Sequence, residues 1–350
     1  MRAPRTVKGT VTGTVTGPQP AARGRPRGAA VLAALALVPV VFEVRGAQEQ
    51  DKAAAAVSRA EAALERAGTP AEKSAATVAL GRVYFDEGQE KKAEAEYQAA
   101  LELDPSNAEA HLEIGRVKIA GHHFAEAQAE FQEVIRLEPD AGIGYAALGD
   151  LLFETQHRAE ARPLLEKAAS LDPSDWHSRY QLASLLSEGG DPVRARELLG
   201  VVLRLQPDFM PAREEIALDL LRRGNVKEAT EQAGAMLAKD PAAPEGHRIM
   251  ALTLWKQGDY EASLAECALA VEGRPGAVEI LALQALDLWQ LDRKKEARRV
   301  LAEAARDPAA RSRLASIDSF CRMLVCDAQS TPVVGDFVRR NRWVASPDEP

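Results

Sequence analysis

The chain has 350 residues, 46% of them hydrophobic but only 5% aromatic, and a formal net charge of −8. Ala and Leu therefore supply most of the apolar surface, which is a helix-forming composition. The negative balance argues against a general nucleic-acid binder, which needs a basic face for the phosphates.

The charge is uneven along the chain. Residues 1–47 carry Arg2, Arg5, Lys8, Arg23, Arg25, Arg27 and Arg45 against a single acid, Glu43. Arg23, Arg25 and Arg27 precede an apolar run from Ala29 to Phe42, and small residues Gly46 and Ala47 follow. This is the layout of a secretory signal peptide, which predicts export to the periplasm or medium and removal of 1–47. The alternative is an uncleaved N-terminal membrane anchor. Against a stable span, the run would cover only about 21 Å as a helix, short of the roughly 30 Å hydrocarbon core, and Pro39 interrupts it.

Residues 48–73 read as a lone N-terminal helix, with Ala60, Leu64 and Ala67 on one stripe. From Ser74 the chain divides every 34 residues into 74–107, 108–141, 142–175, 176–209, 210–243, 244–277 and 278–311. Slot 20 of each unit holds Ala93, Ala127, Ala161, Ala195, Ala229, Ser263 and Ala297. Slot 8 is small throughout: Gly81, Gly115, Gly149, then Ala183, Ala217, Ala251 and Ala285. Slot 32 is Pro105, Pro139, Pro173, Pro207, Pro241 and Pro275; in the seventh unit the proline comes one residue early, at Pro308. Slots 4, 7, 8 and 11 make one stripe of a first helix, and slots 20, 24 and 27 one stripe of a second. Gly88, Gly190, Gly224 and Gly258 at slot 15 suit the turn between them, and the proline closes the unit. A single helix pair cannot bury its apolar face, so neighbouring units must stack.

The period, the small slot 8, Ala at 20, a large apolar slot 24 and Pro at 32 resemble the tetratricopeptide repeat family. Leu80-Gly81-Arg82-Val83-Tyr84 and Ala93…Tyr97…Ala100…Pro105 carry the likeness best. The family's Trp at slot 4 is absent; Thr77, His111, Tyr145, Arg179, Arg213, His247 and Leu281 stand there. The resemblance implies an all-α, right-handed superhelical solenoid whose first helices line a concave groove for protein or peptide partners. Slots 2, 5, 9, 12 and 13 would then face the partner. The candidate groove residues are Arg82, Phe85, Arg116, Asp150, Phe153, His177, Tyr180, Arg248, Trp255, Lys256 and Trp289. For Trp255 and Trp289, both at slot 12, two readings stand: exposed binding anchors, or packing against a neighbouring helix or the C-terminal cap. The Lys and Asn that clamp a peptide's terminal carboxylate in chaperone adaptors, at slots 5 and 9, are missing here.

At the C-terminal end, 312–330 reads as a capping helix on Leu314, Ile317, Phe320, Cys321 and Leu324, and 331–350 as an irregular tail. Cys321 and Cys326 point apart on a continuous helix; a bridge becomes available if the helix ends between them. Cys267, at slot 24, reads as a core residue, and His122-His123 as solvated turn residues. No phosphate loop, nucleophile elbow or metal-ligand spacing is present, and no catalytic residue, metal or cofactor is implied. The expected function is a non-enzymatic protein-interaction scaffold; the alternative is a fixed assembly component of a cell-envelope or secretion complex.

Overall fold

The structure, a computed structural model, describes residues 54–315 and 331–341 together with Lys52 and Leu324. The basic N-terminal segment, Ile317, Phe320 and the Cys321–Cys326 pair lie outside the described residues.

Helix α1 covers 54–66 and buries Ala60. Seven helix pairs follow. The first five are α2 (Pro70–Asp86) with α3 (Glu90–Leu103), α4 (Ala108–Ala120) with α5 (Phe124–Leu137), α6 (Gly142–Glu154) with α7 (Arg158–Leu171), α8 (Trp176–Glu188) with α9 (Pro192–Leu205), and α10 (Met210–Arg222) with α11 (Val226–Lys239). The last two are α12 (Pro244–Gln257) with α13 (Tyr260–Gly273) and α14 (Val278–Gln290) with α15 (Lys294–Ala304). Two shorter helices, α16 (Pro308–Ala315) and α17 (Thr331–Arg340), lie beyond them. Among the described residues there is no strand.

The turn inside each pair obeys one rule. Slot 15 is left-handed in all seven units, with φ between +59° and +83°. The next residue's N–H reaches back five residues, as from Gln89 to the Tyr84 carbonyl and Arg293 to Leu288, both 2.8 Å. This is the six-to-one bond that closes a helix and turns the chain. Glycine meets that demand in four units, but His122, Gln156 and Asp292 meet it in the others, at a cost glycine avoids.

The small slot 8 has an equally local cause. A Cβ on Gly81 would lie 2.5 Å from Cε1 of Tyr97, and one on Gly115 would lie 2.3 Å from Cε1 of Phe131. Both rings stand at slot 24 and are fully buried. Where slot 8 is Ala, slot 24 is Leu199, Ala233, Cys267 or Leu301, none of them aromatic. The aromatic rings at slot 24 thus stand only opposite glycine, and Leu165 in the third unit also faces one, Gly149.

Second helices touch the first helix of their own unit and of the next. First helices also touch one another, α2 on α4, α4 on α6, α6 on α8, α10 on α12 and α12 on α14. Closer packing in the layer of first helices places that layer on the inner side of the curve.

Three boundaries differ from the sequence reading. The first pair begins at Pro70 rather than 74, because Thr69 and Glu72 form a reciprocal cap and Pro70 fits the first helical position. In the seventh unit α15 stops at Ala304, so Pro308 opens α16 instead of closing α15. The stretch 331–340 is not irregular: it is helix α17, with Val334 and Phe337 buried against the array. Its apolar residues at 334, 337 and 338 share one face, and burying that face outweighs the helix-weakening Pro332 and Gly335.

Candidate functional site

Polar side chains on the inner layer pair across unit boundaries in a fixed register. Arg82, at slot 9, reaches Glu113 at slot 6 of the next unit (Nη2–Oε1, 2.6 Å) and Glu109 at slot 2 (2.6 Å). Arg116 joins the same Glu113 carboxylate at 2.9 Å. Asp150, again slot 9, accepts from Gln181 at slot 6 and meets His177 Nε2 at slot 2, 3.3 Å away. Ser184 donates to Glu215 at 2.8 Å in the same relation. Burial pushes the Asp150 carboxyl up, but the His177 and Gln181 bonds outweigh it and hold it below its ordinary value. The Asp150 bond in turn raises His177. Glu215 has the opposite balance: burial dominates and its carboxyl is raised.

This ladder ends in the fifth unit. Slots 9 and 6 then become Leu218 with Ile249 and Leu252 with Leu283, so the contact between first helices turns apolar. Arg248 is largely buried and paired with Glu214 at 2.5 Å. The face that bears the polar rungs is therefore that of α2, α4, α6 and α8, ending on Glu215 of α10. It carries partly buried Phe85, Ile119, Phe153 and Tyr180, and Ile143, which is 47% exposed. Beside Ile143, a cleft of about 400 Å³ is bounded by Ala146, Asp172, Asp175 and Trp176.

The candidate residues thus divide. Arg82, Arg116, Asp150 and His177 sit on the inner face but are engaged with one another's neighbours. Phe85, Phe153 and Tyr180 border that face, with the Arg158 guanidinium over the Phe153 ring at 5.2 Å. Trp255 is only 6% exposed and part of the C-terminal core, which decides its two readings in favour of packing. Trp289 meets Phe337 of α17 edge to face, ring centroids 5.4 Å apart, so the C-terminal helix covers it. Lys256 lies over its neighbour Trp255, 5.6 Å from the ring centre.

Two polar devices were missed in the sequence. The first occupies slot 4, where the family has Trp. His111 bonds Glu130 (2.7 Å) and the Pro105 carbonyl (3.4 Å); His247 repeats this with Glu266 (2.7 Å) and Pro241 (3.0 Å). Arg213 does the same with Gln232 and Pro207. Arg179 donates to the carbonyls of Ala169, Asp172 and Asp175. Each ties the first helix to the loop before it, and for His111, Arg213 and His247 the i, i+19 complementarity was the available signal.

The second is at slot 10. Asp219 there is partnered by Arg196 at 2.7 Å and Arg223 at 3.8 Å. Asp287, in the same slot two units on, is fully buried and, among the described residues, has no cation within ion-pair distance. Its Oδ2 lies 2.7 Å from Ser263 Oγ and 3.9 Å from Cys267 Sγ, and its Oδ1 has no partner. Ser263 Oγ also lies 3.0 Å from the Ala251 carbonyl. One hydroxyl hydrogen cannot serve both oxygens. A protonated Asp287 resolves this: it donates to Ser263, which donates to Ala251. Burial accordingly pushes the Asp287 carboxyl up to about 8. Ser263 is the one departure from Ala at slot 20.

Among the described residues no group of His, Cys, Asp and Glu could hold a metal, and no helix is long and apolar enough to cross a membrane.

Stacked helix pairs with a continuous inner layer define the chain as a helical repeat solenoid. Sequence comparison names the repeat: residues 81–118 match a TPR repeat, and 112–175, 152–214 and 215–278 match tetratricopeptide repeats. Residues 81–278 are thus tetratricopeptide repeats. No curated protein matches the chain. Among solved structures, PilW, a "widely conserved type IV pilus biogenesis factor", is similar at 20% identity and TM-score 0.50, over 58% of this chain and 94% of its own. The Cut9–Hcn1 assembly of the APC/C is similar at 13% identity and TM-score 0.50, over 78% of this chain and 53% of that one. YrrB, "a TPR protein with an unusual peptide-binding site", is 20% identical with TM-score 0.47, over 53% and 95%. At these identities the likeness is one of fold.

Proposed function

We propose that the chain is a non-enzymatic scaffold that binds a protein or peptide on the inner face of α2, α4, α6 and α8. The observation that carries this is the set of apolar side chains on that one face: Phe85, Ile119, Phe153 and Tyr180, all partly buried, with Ile143 47% exposed beside an open cleft. Gathered on one layer, they are apolar surface that a partner would cover. Tetratricopeptide repeats serve generally as protein-interaction modules, which supports the reading.

The test uses two exposed apolar residues on opposite layers. Ile143→Asp alters the inner face, and Val193→Asp alters the second-helix layer at α9, where Val193 is 56% exposed. Tagged full-length protein, expressed in its own host, should lose its co-purifying partner with the first substitution and keep it with the second. Equal loss, or loss only with Val193→Asp, contradicts the proposal. A stoichiometric complex that survives both would favour the fixed-assembly alternative.

The same proposal includes export. The arginine cluster at 23–27 and the apolar run Ala29–Phe42 support a cleaved signal. N-terminal sequencing of the mature protein tests it: a start beyond residue 42 is expected, and an intact Met1 overturns it.

A further inference from the structure

We infer that the cleft beside Ile143 receives an arginine side chain of the partner, with its stem on Ile143 and Trp176 and its guanidinium on Asp172 and Asp175. This rests on the inner-face reading and names one side chain of the occupant.

The cleft comes from a junction peculiar to the third and fourth units. Slot 5 of the third unit is Ala146, where the second has Leu112 and the fourth Tyr180. Slot 1 of the fourth unit is Trp176, where the second and third have Ala108 and Gly142. Ala146 and Trp176 both line the opening, whose volume is about 400 Å³. Ligand pockets run upward from about 300 Å³, whereas a helix is about 10–12 Å across. The opening therefore admits a side chain and not a helix. Its apolar walls are only partly covered: Trp176 is half-buried and Ile143 is exposed. Packing fixes the indole from behind. Phe209 tilts against it with centroids 4.8 Å apart and meets Tyr180 at 5.0 Å.

The rim is anionic. Asp172 Oδ1 accepts from the Ser174 N–H at 2.8 Å and from Ser174 Oγ at 2.7 Å; Asp175 Oδ1 accepts from the Ser178 N–H at 3.0 Å. The Ser174 bonds hold the Asp172 carboxyl below its ordinary value, so it is ionised at neutral pH. Among the described residues neither carboxylate lies within ion-pair distance of a cation. Arg179, whose charge reaches Asp172, gives its N–H groups to the carbonyls of Ala169, Asp172 and Asp175 instead.

Walls and rim together select the guest. An aliphatic side chain would cover Ile143 and Trp176 but leave two carboxylates desolvated and unpaired beside it. An acidic side chain would be repelled. Arginine meets both demands: its planar head stacks on an indole, and its fork of donors can serve two separate carboxylates, which the point charge of lysine does less well.

Two peptides test the inference on the full chain: acetyl-Gly-Ala-Arg-Ala-Gly-amide and the same peptide with citrulline, which keeps the shape of arginine and loses its charge. The readout is the indole N–H resonance of Trp176, identified by its loss in Trp176→Phe. The arginine peptide should move that resonance and bind at least fivefold more tightly than the citrulline peptide. Asp172→Asn with Asp175→Asn should abolish the difference, since Asn keeps the turn and the cap but not the charge. Equal affinities, a preference that survives the double substitution, or a Trp176 resonance that neither peptide moves overturns the inference. The double substitution is also applied to the native co-purification, where it should reduce the captured partner at least threefold. A partner lost with Ile143→Asp but held undiminished by Asp172→Asn with Asp175→Asn leaves the inner face standing and removes the arginine; retention with Ile143→Asp removes the inner face itself.

Discussion

Replacing Asp287 by Asn should make the C-terminal half more stable as pH rises. The unfolded carboxyl ionises near its ordinary 3.8, whereas in the folded chain burial holds it up to about 8. Between those values the native state binds one proton more than the unfolded state, so stability falls with pH by about 1.4 kcal/mol per unit. That contribution is full below the unfolded value and declines until pH passes the folded one. From 3.8 to 7 the loss amounts to ~4 kcal/mol. Asn cannot ionise and can donate to Ser263 Oγ as the protonated acid does, so this pH dependence should vanish in the variant. The second amide hydrogen faces no acceptor, a fixed cost of about 1–3 kcal/mol at every pH. The assay is urea denaturation from pH 4 to pH 9, followed by fluorescence of Trp255 and Trp289, on α12 and α14. The variant should be no more stable than the parent at pH 4 and more stable by pH 8. Parallel pH profiles for the two proteins would refute a protonated Asp287.

Gly81→Ala should destabilise the first helix pair by about 1–3 kcal/mol, because its Cβ overlaps the Tyr97 ring, and adding Tyr97→Leu should restore part of the loss; urea midpoints check both. Trp255→Ala should cost about 3–5 kcal/mol, since the ring belongs to the core, and a cooperative unfolding curve shifted to lower urea is expected rather than an isolated binding defect. His122→Gly should raise stability by about 1 kcal/mol by relieving a left-handed residue, measured by thermal denaturation.

The helix pairs were legible because their signals are periodic and local: small residues at slots 8 and 20, Gly at slot 15 and Pro at slot 32 each answer to one contact or one turn. The ends were less legible. Pro308 resembles the other closing prolines in spacing, yet a proline suits either the residue after a helix or its first turn, and only the shortened α15 selects the second. Helix α17 carries Pro332 and Gly335 and owes its form to packing on Trp289, a contact between positions distant in sequence. The same distance hid the fate of Trp289. The inner face was read by slot, which located Arg82, Asp150 and His177 but not Glu109, Glu113 or Gln181. Those partners sit 27 and 31 residues later, and the alternation of Arg with Glu and Asp with Gln at that separation encodes the rungs. Trp255 was ambiguous because slot 12 is only partly buried in the first three units and becomes buried, at Leu221 and Trp255, once the rungs give way to Leu218 and Leu252.

Hydrogen exchange on the full chain, alone and with its co-purified partner, tests the central claim most directly. The account predicts new protection in α2, α4, α6 and α8, with α3, α5, α7 and α9 unchanged. Protection confined to the second helices would contradict it.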